Sequence, residues 1–114
     1  CSSDLHNYLS NSGRDLIYEY INSLPEAEKI DGYTVLQHME KGEFDKILFK
    51  RWEKKVYEVY FQKNNRVFYI TVDKENIYLL HSCRKQKNKT EKKDANIVRK
   101  RAKELGNMLG RKFI

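Results

Sequence analysis

The chain has 114 residues, enough for one modest core and too few for a core plus a separate catalytic domain. Its 39% apolar and 34% charged content is that of a soluble globular protein, and no apolar run approaches the roughly 18 residues that span a bilayer. The net charge of +7 falls almost wholly in residues 84–103, where ten Lys and Arg face only Glu91 and Asp94, so a near-neutral body carries one basic stripe suited to a polyanion or to solvent.

Leu5, Tyr8 and Leu9 fit a short opening strand. Ser12-Gly-Arg-Asp15 then offers a capping box for a first helix, whose Leu16, Ile17, Tyr20, Ile21 and Leu24 recur on one apolar face. Ser23-Leu-Pro25-Glu26 repeats the start signal, with serine as cap and proline in the first turn. The second helix runs through Ile30, Tyr33, Leu36 and Met39 to a stop at Gly42. His38 on this helix and His6 near the start stand alone, with no second ligand spaced to join them.

After Gly42 the period changes from helical to alternating. Residues 47–49, 56–61, 67–72 and 77–80 are β-branched and aromatic runs parted by turn residues around Asn64-Asn65 and Asp73–Asn76, which predicts an antiparallel meander. A last helix opens near Lys92 to Asp94 and carries Val98, Ala102, Leu105 and Leu109 on one face and Arg99, Lys100 and Lys103 on the other. The fold class is therefore α+β, a small twisted antiparallel sheet with two N-terminal helices and one C-terminal helix, in a single domain over residues 1–114.

Cys1 and Cys83 make no disulfide framework and no metal-finger spacing, so a reducing, cytoplasmic setting is expected. The Cys-Ser-Ser opening also matches the mature end of a lipoprotein, although trimming or a remnant of expression is the preferred origin. No Gly-rich phosphate loop, zincin helix, nucleophile elbow or close carboxylate pair is present, which disfavours nucleotide-fuelled, zinc-hydrolytic and serine-hydrolase chemistry. His81 and Cys83 sit two apart on a strand and share a face, a weak basis for thiol catalysis. What remains is a strand end with His81, Arg84, Lys85, Lys87 and Lys89, beside Arg66 on the neighbouring strand. Arg66 inside an apolar run is either paired with an acid such as Glu58 or held for an anion. RNA cleavage needs little more, because the 2′-hydroxyl is an internal nucleophile and the protein has only to place the strand, stabilise phosphate charge and move protons. His81 suits proton transfer, and equally suits a structural bond that holds the basic loop.

The stretch Ile77-Tyr-Leu-Leu-His-Ser-Cys-Arg-Lys-Gln-Lys-Asn-Lys-Thr90, with Lys92-Lys-Asp94 and the Arg99-Lys-Arg101 helix behind it, resembles the LLHxFxKK(S/T)xKTP signature of phage-derived HigB-like toxins in the RelE/ParE superfamily. Tyr57-Glu-Val-Tyr-Phe61 and Asn65-Arg-Val-Phe-Tyr69 are similar to that family's LWELR and yRvlY strands, so the resemblance runs from about Leu5 to Lys103. Tyr60 stands where the family strand often has arginine, Gln86 replaces a motif lysine and Glu91 the motif proline. The resemblance implies the toxin of a type II toxin-antitoxin system, a ribosome-dependent mRNA endonuclease that uses no cofactor or metal and is silenced by a cognate antitoxin. Its partners would be that antitoxin, mRNA and the ribosome, with no membrane involved. By position it implies Arg66 as a phosphate-contacting arginine, His81 as the motif histidine and Lys85, Lys87 and Lys89 as the basic loop; joined to the reading of the residues themselves, the expected catalytic set is Arg66, His81, Arg84 and Tyr60, and the expected RNA-binding set is Lys85, Lys87, Lys89, Lys92 and Lys93. Two other functions remain open, a ParE-like inhibitor of gyrase and a basic RNA-binding module without chemistry.

Overall fold

Asp15 sits in extended backbone and accepts the Tyr18 amide on its side chain, which caps the first helix, α1 (Leu16–Asn22). The computed structural model describes residues 3–62, 64–85 and 90–114. Ser23 closes α1 and does not open the next helix: its hydroxyl donates to the Tyr20 carbonyl, and the second helix, α2 (Glu26–Glu40), starts directly after Pro25 without a side-chain cap. The expected serine cap thus goes to the preceding turn, because a serine at a helix end can bond backward to a free carbonyl. Gly42 follows α2 at φ 73°, the left-handed geometry that its position as a helix stop requires.

Five strands follow the expected order, with β1 (Asp4–Asn7) ahead of the helices and β2 (Leu48–Glu53), β3 (Val56–Phe61), β4 (Asn65–Thr71) and β5 (Asn76–Arg84) after them. They form one sheet in the order β1-β5-β4-β3-β2. The meander from β2 to β5 is antiparallel as expected. The opening strand departs from the expectation, since β1 pairs with β5 in parallel, Asp4 opposite Asn76 and Asn7 opposite Leu79, which makes the sheet mixed. The two helices between β1 and the meander supply the long crossover that a parallel pairing needs.

The alternation along the strands divides the core into two layers. Val59, Phe61, Val67, Tyr69, Ile77 and Leu79 pack under α1 and α2 with Ile17, Ile21, Leu36 and Met39. Val56, Phe68, Ile70 and Leu80 pack on the other face under α3 (Lys92–Leu109), against Val98, Ala102 and Leu105. The register between β4 and β5 shifts once: Phe68 faces His81 while Tyr69 faces Leu79, so Leu80 is an extra residue in β5. Without that bulge His81 would share the face of Leu79; with it, Leu80 and His81 both meet the α3 side. Among the described residues, no helix is long and apolar enough to cross a membrane.

Candidate functional site

Glu58 stands opposite Phe68 in the ladder, on the α3 side of the sheet. It lies in β3 among Val56, Val59 and Phe61, and its side chain is fully buried. Two cations meet it, Arg66 with Nε 3.1 Å from Oε1 and Lys85 with Nζ 3.8 Å from the same oxygen. Both lie within charge-pairing distance, Lys85 too far for a hydrogen bond, and among the described residues neither Glu58 oxygen accepts one. Lys85 is itself buried, and burial pushes its ammonium below the usual lysine range against the pull of Glu58. An acid between two cations in a nearly dry setting is a costly arrangement, which a fold retains for a specific use more readily than for stability.

Tyr60 is opposite Arg66 in the ladder, and the guanidinium lies 4.8 Å from the Tyr60 ring centre. Of the two uses open to Arg66, pairing with Glu58 is the one observed, and the cation stays on the sheet face beside Lys85. Above Glu58 opens a cleft of about 380 Å³ lined by Lys50, Trp52, Lys85, Thr90 and Arg99 among others. Arg99 is fixed there by two 2.9 Å bonds to Glu53, and its guanidinium sits 5.3 Å from the Trp52 ring centre. A larger apolar cavity of about 430 Å³ lies between β1 and α3, and none of the expected site residues lines it.

His81 reaches the same side but is fully engaged. Its Nε2 lies 2.9 Å from Asp94 Oδ1 on α3, and its Nδ1 lies 3.3 Å from an Arg101 nitrogen. Arginine can only donate, so Nδ1 accepts and the ring proton sits on Nε2, donated to Asp94. Burial holds the imidazole below its ordinary range, opposed by Asp94, so the ring is neutral at physiological pH. Cys83 shares this face, and burial pushes its thiol up to about 12, which leaves no thiolate for nucleophilic attack. Atoms of His81, Cys83 and Asp94 lie within 4.8 Å of one another, a donor set that could hold a metal ion. Arg101 opposes that use, because it keeps the proton on the very nitrogen that faces Asp94 and Cys83 would have to ionise.

Arg84 lies on the opposite face. It donates a 2.7 Å bond to Glu28 on α2, which also accepts from the Asn65 side chain, while the Tyr20 hydroxyl donates to Asn65 Oδ1. The structure therefore brings together Arg66, Tyr60 and Lys85 of the expected residues, places His81 beside them as a bridge to α3, and sets Arg84 apart. Lys92 and Lys93 are exposed in the first turn of α3. Lys87 and Lys89 lie outside the described residues, as does Cys1. Glu58 was named in the sequence only as a partner for Arg66; the signal for more was an acid at a core position of an apolar strand. A family model described as "Phage derived protein Gp49-like (DUF891)" matches residues 19–103, and no curated protein matches the chain.

Proposed function

The chain belongs to the Gp49-like family of phage-derived proteins, part of the RelE/HigB-like toxin superfamily, and from that premise we propose that it is the HigB-like toxin of a type II toxin-antitoxin system, a cytoplasmic mRNA endonuclease acting on ribosome-bound transcripts. The observation that carries this reading is the buried Glu58 between Arg66 and Lys85 at the floor of a basic cleft. Such a site supplies what cleavage by the 2′-hydroxyl demands. Arg66 and Lys85 stabilise the charge that builds on the phosphate oxygens. Glu58, an acceptor when ionised, takes the 2′-hydroxyl proton as that oxygen bonds to phosphorus, and Tyr60 returns a proton to the departing 5′ oxygen. Lys50 and Arg99 track the RNA backbone across the cleft, and Lys92 and Lys93 extend the track along α3. Lys87 and Lys89 keep the RNA-binding role that the motif gives them. His81 positions β5 against α3 in place of transferring protons, and Arg84 ties β5 to α2.

Ribosomes translating a defined message, followed by primer extension, test the reading. Cuts that require ribosomes and fall by roughly a hundredfold or more in Arg66→Ala and in Glu58→Gln, with Arg84→Ala close to the parent, are the expected outcome. Intact RNA accompanied by linearised DNA in a gyrase assay would move the protein to the gyrase-inhibiting branch. Tight RNA binding without cuts would leave a binding module.

A further inference from the structure

The face of the sheet turned away from the Glu58 cleft carries rings and cations that the proposed reaction leaves unused. Arg51, Tyr57 and Tyr69 stand opposite one another across β2, β3 and β4, on the side that α1 and α2 pack against. At the Phe61 end α2 lies close over the sheet, where a Cβ on Gly32 would stand 3.0 Å from the Phe61 ring. At the Tyr57 end a single 3-10 turn, Phe44–Lys46, leans on the sheet instead, with the Phe44 ring 5.5 Å from Phe49 and 6.1 Å from Tyr69. Tyr57 joins the cluster at 6.5 Å from Phe49 and 5.9 Å from Tyr69, and these rings line a groove of about 490 Å³. Phe49 is 41% exposed and Tyr57 half-buried, so ring surface is open to the groove. Lys55 lines the same groove, and with Tyr57 it also lines an adjoining cleft of about 370 Å³ that holds Arg51, Lys54 and Lys112. We propose that this aromatic groove and its four cations bind a single-stranded nucleic acid on the opposite face of the sheet from the cleavage cleft, bases stacking on Phe49 and Tyr57 and phosphates meeting Arg51, Lys54, Lys55 and Lys112; the choice of RNA as that strand rests on the function proposed above.

Unmet charge selects that occupant. Arg66, Arg84 and Arg99 are each paired with a glutamate. Arg51, Lys54, Lys55 and Lys112 are all exposed, no acidic side chain lines either hollow, and none of the four forms an ion pair among the described residues. The backbone still sets them in place: Arg51 Nε donates to the Lys54 carbonyl at 3.0 Å, and the Lys55 amide donates to the Phe113 carbonyl, which holds Lys112 beside the turn. Rings next to free cations recruit a flat π system joined to an anion, which is what a nucleotide is. A quaternary ammonium also suits a cluster of rings, but four cations at the rim repel it. A duplex hides the faces of its bases, so only an unpaired strand can stack here. A second copy of this chain would oppose like charges. Lys50 and Arg51 are neighbours on β2 whose side chains take opposite faces, Lys50 lining the cleavage cleft and Arg51 the hollow beside the rings. One strand turning round the edge of β2 therefore engages both surfaces, and the rings hold the segment that flanks the cut.

NMR titration of the full chain tests the site with a short 2′-O-methyl oligoribonucleotide, which cannot be cut because its internal nucleophile is blocked. The comparison probes are an abasic strand with the same phosphates, the deoxy strand, the duplex, and an acidic peptide alternating glutamate with phenylalanine. The 2′-O-methyl strand should shift the resonances of Phe49, Tyr57 and Thr71 and bind there roughly tenfold or more tightly than the abasic strand, which has no bases to stack. Phe49→Leu with Lys55→Glu should remove those shifts while the shifts at Trp52 and Lys85 on the cleft side persist and the amide spectrum stays folded. Lys55→Glu with Lys112→Glu, both exposed, should do the same through charge alone. Equal binding of the abasic strand or the duplex, tighter binding of the acidic peptide at the same rings, or shifts confined to the cleft side would each overturn the proposal. A deoxy strand that binds roughly tenfold more tightly than the 2′-O-methyl strand would overturn the assignment to RNA. Because the readout is binding, loss of the shifts at Phe49 and Tyr57 with ribosomal cleavage intact removes the second site alone, and those shifts in a protein that cuts no message remove only the nuclease reading.

Discussion

His81 spends both ring nitrogens on its neighbours, Asp94 and Arg101, and this decides how the protein responds to acid. Burial depresses its pKa in the fold, so the unfolded chain takes up a proton first as pH falls. The stabilising contribution is then complete above the ordinary imidazole value of about 6.5 and is lost progressively below it. His81→Gln should flatten the stability profile below about pH 6.5 in urea titrations, lower stability at pH 7 by about 1–3 kcal/mol through the weakened Asp94 contact, and leave cleavage within about tenfold of the parent. A profile that keeps its acid slope would show that another group carries it, and a collapse of cleavage with folding intact would return the proton-transfer role to His81. The histidine stood out in the sequence beside the basic loop, but its partners lie 13 and 20 positions downstream on α3, beyond the reach of any local spacing rule. Glu58 was harder still to read. An acid in an apolar strand can face either solvent or core, and only the ladder, with Arg66 on the next strand and Lys85 past the end of β5, shows that it is enclosed.

At the level of elements, α3 ends in a turn that leaves no room for a side chain at Gly106. The Arg111 amide donates to the Gly106 carbonyl at 2.9 Å, and a Cβ on Gly106 would stand 2.4 Å from the Arg111 carbonyl oxygen. That return places Phe113 in the α3 core and lets its carbonyl accept from Lys55, which ties the C-terminal residues to the turn between β2 and β3. Gly106→Ala should therefore cost about 2–3 kcal/mol, since backbone must move to make room. Gly110→Ala has open space and only its φ of +67° to oppose it, so about 1 kcal/mol is expected. Equal thermal shifts for the two variants would sink this account of the turn. Helices and the antiparallel meander were legible from periodicity, because each is a local pattern with its own cap or turn. The parallel pairing of β1 was not, since strand direction is set by a crossover of more than sixty residues and leaves no local mark. Nor was the Leu80 bulge, which inserts one residue in a run that reads as continuous alternation.

The molecule as a whole sets a near-neutral body against a basic face to which, among the described residues, Lys85 and the exposed start of α3 contribute. If that face tracks RNA, each exposed lysine removed should release one fewer counterion. The double variant Lys92→Ala with Lys93→Ala should lower the log–log salt slope of RNA binding by about 0.7 per lysine while leaving the cut positions unchanged. An unaltered slope would take the start of α3 out of the interface. The sheet order has a further consequence, in the making of the protein. β1 is translated before every other strand, yet its partner Asn76–Leu79 belongs to the last strand, so the N-terminal residues must wait, unpaired, until most of the sequence has left the exit tunnel. The RNA-cleaving face in the proposed reading is assembled later again, because α3 and its contacts with His81 come after β5. On the proposed reading, a nascent chain is harmless to the ribosome producing it, and an inhibitor has the interval between synthesis and closure of the fold in which to bind first.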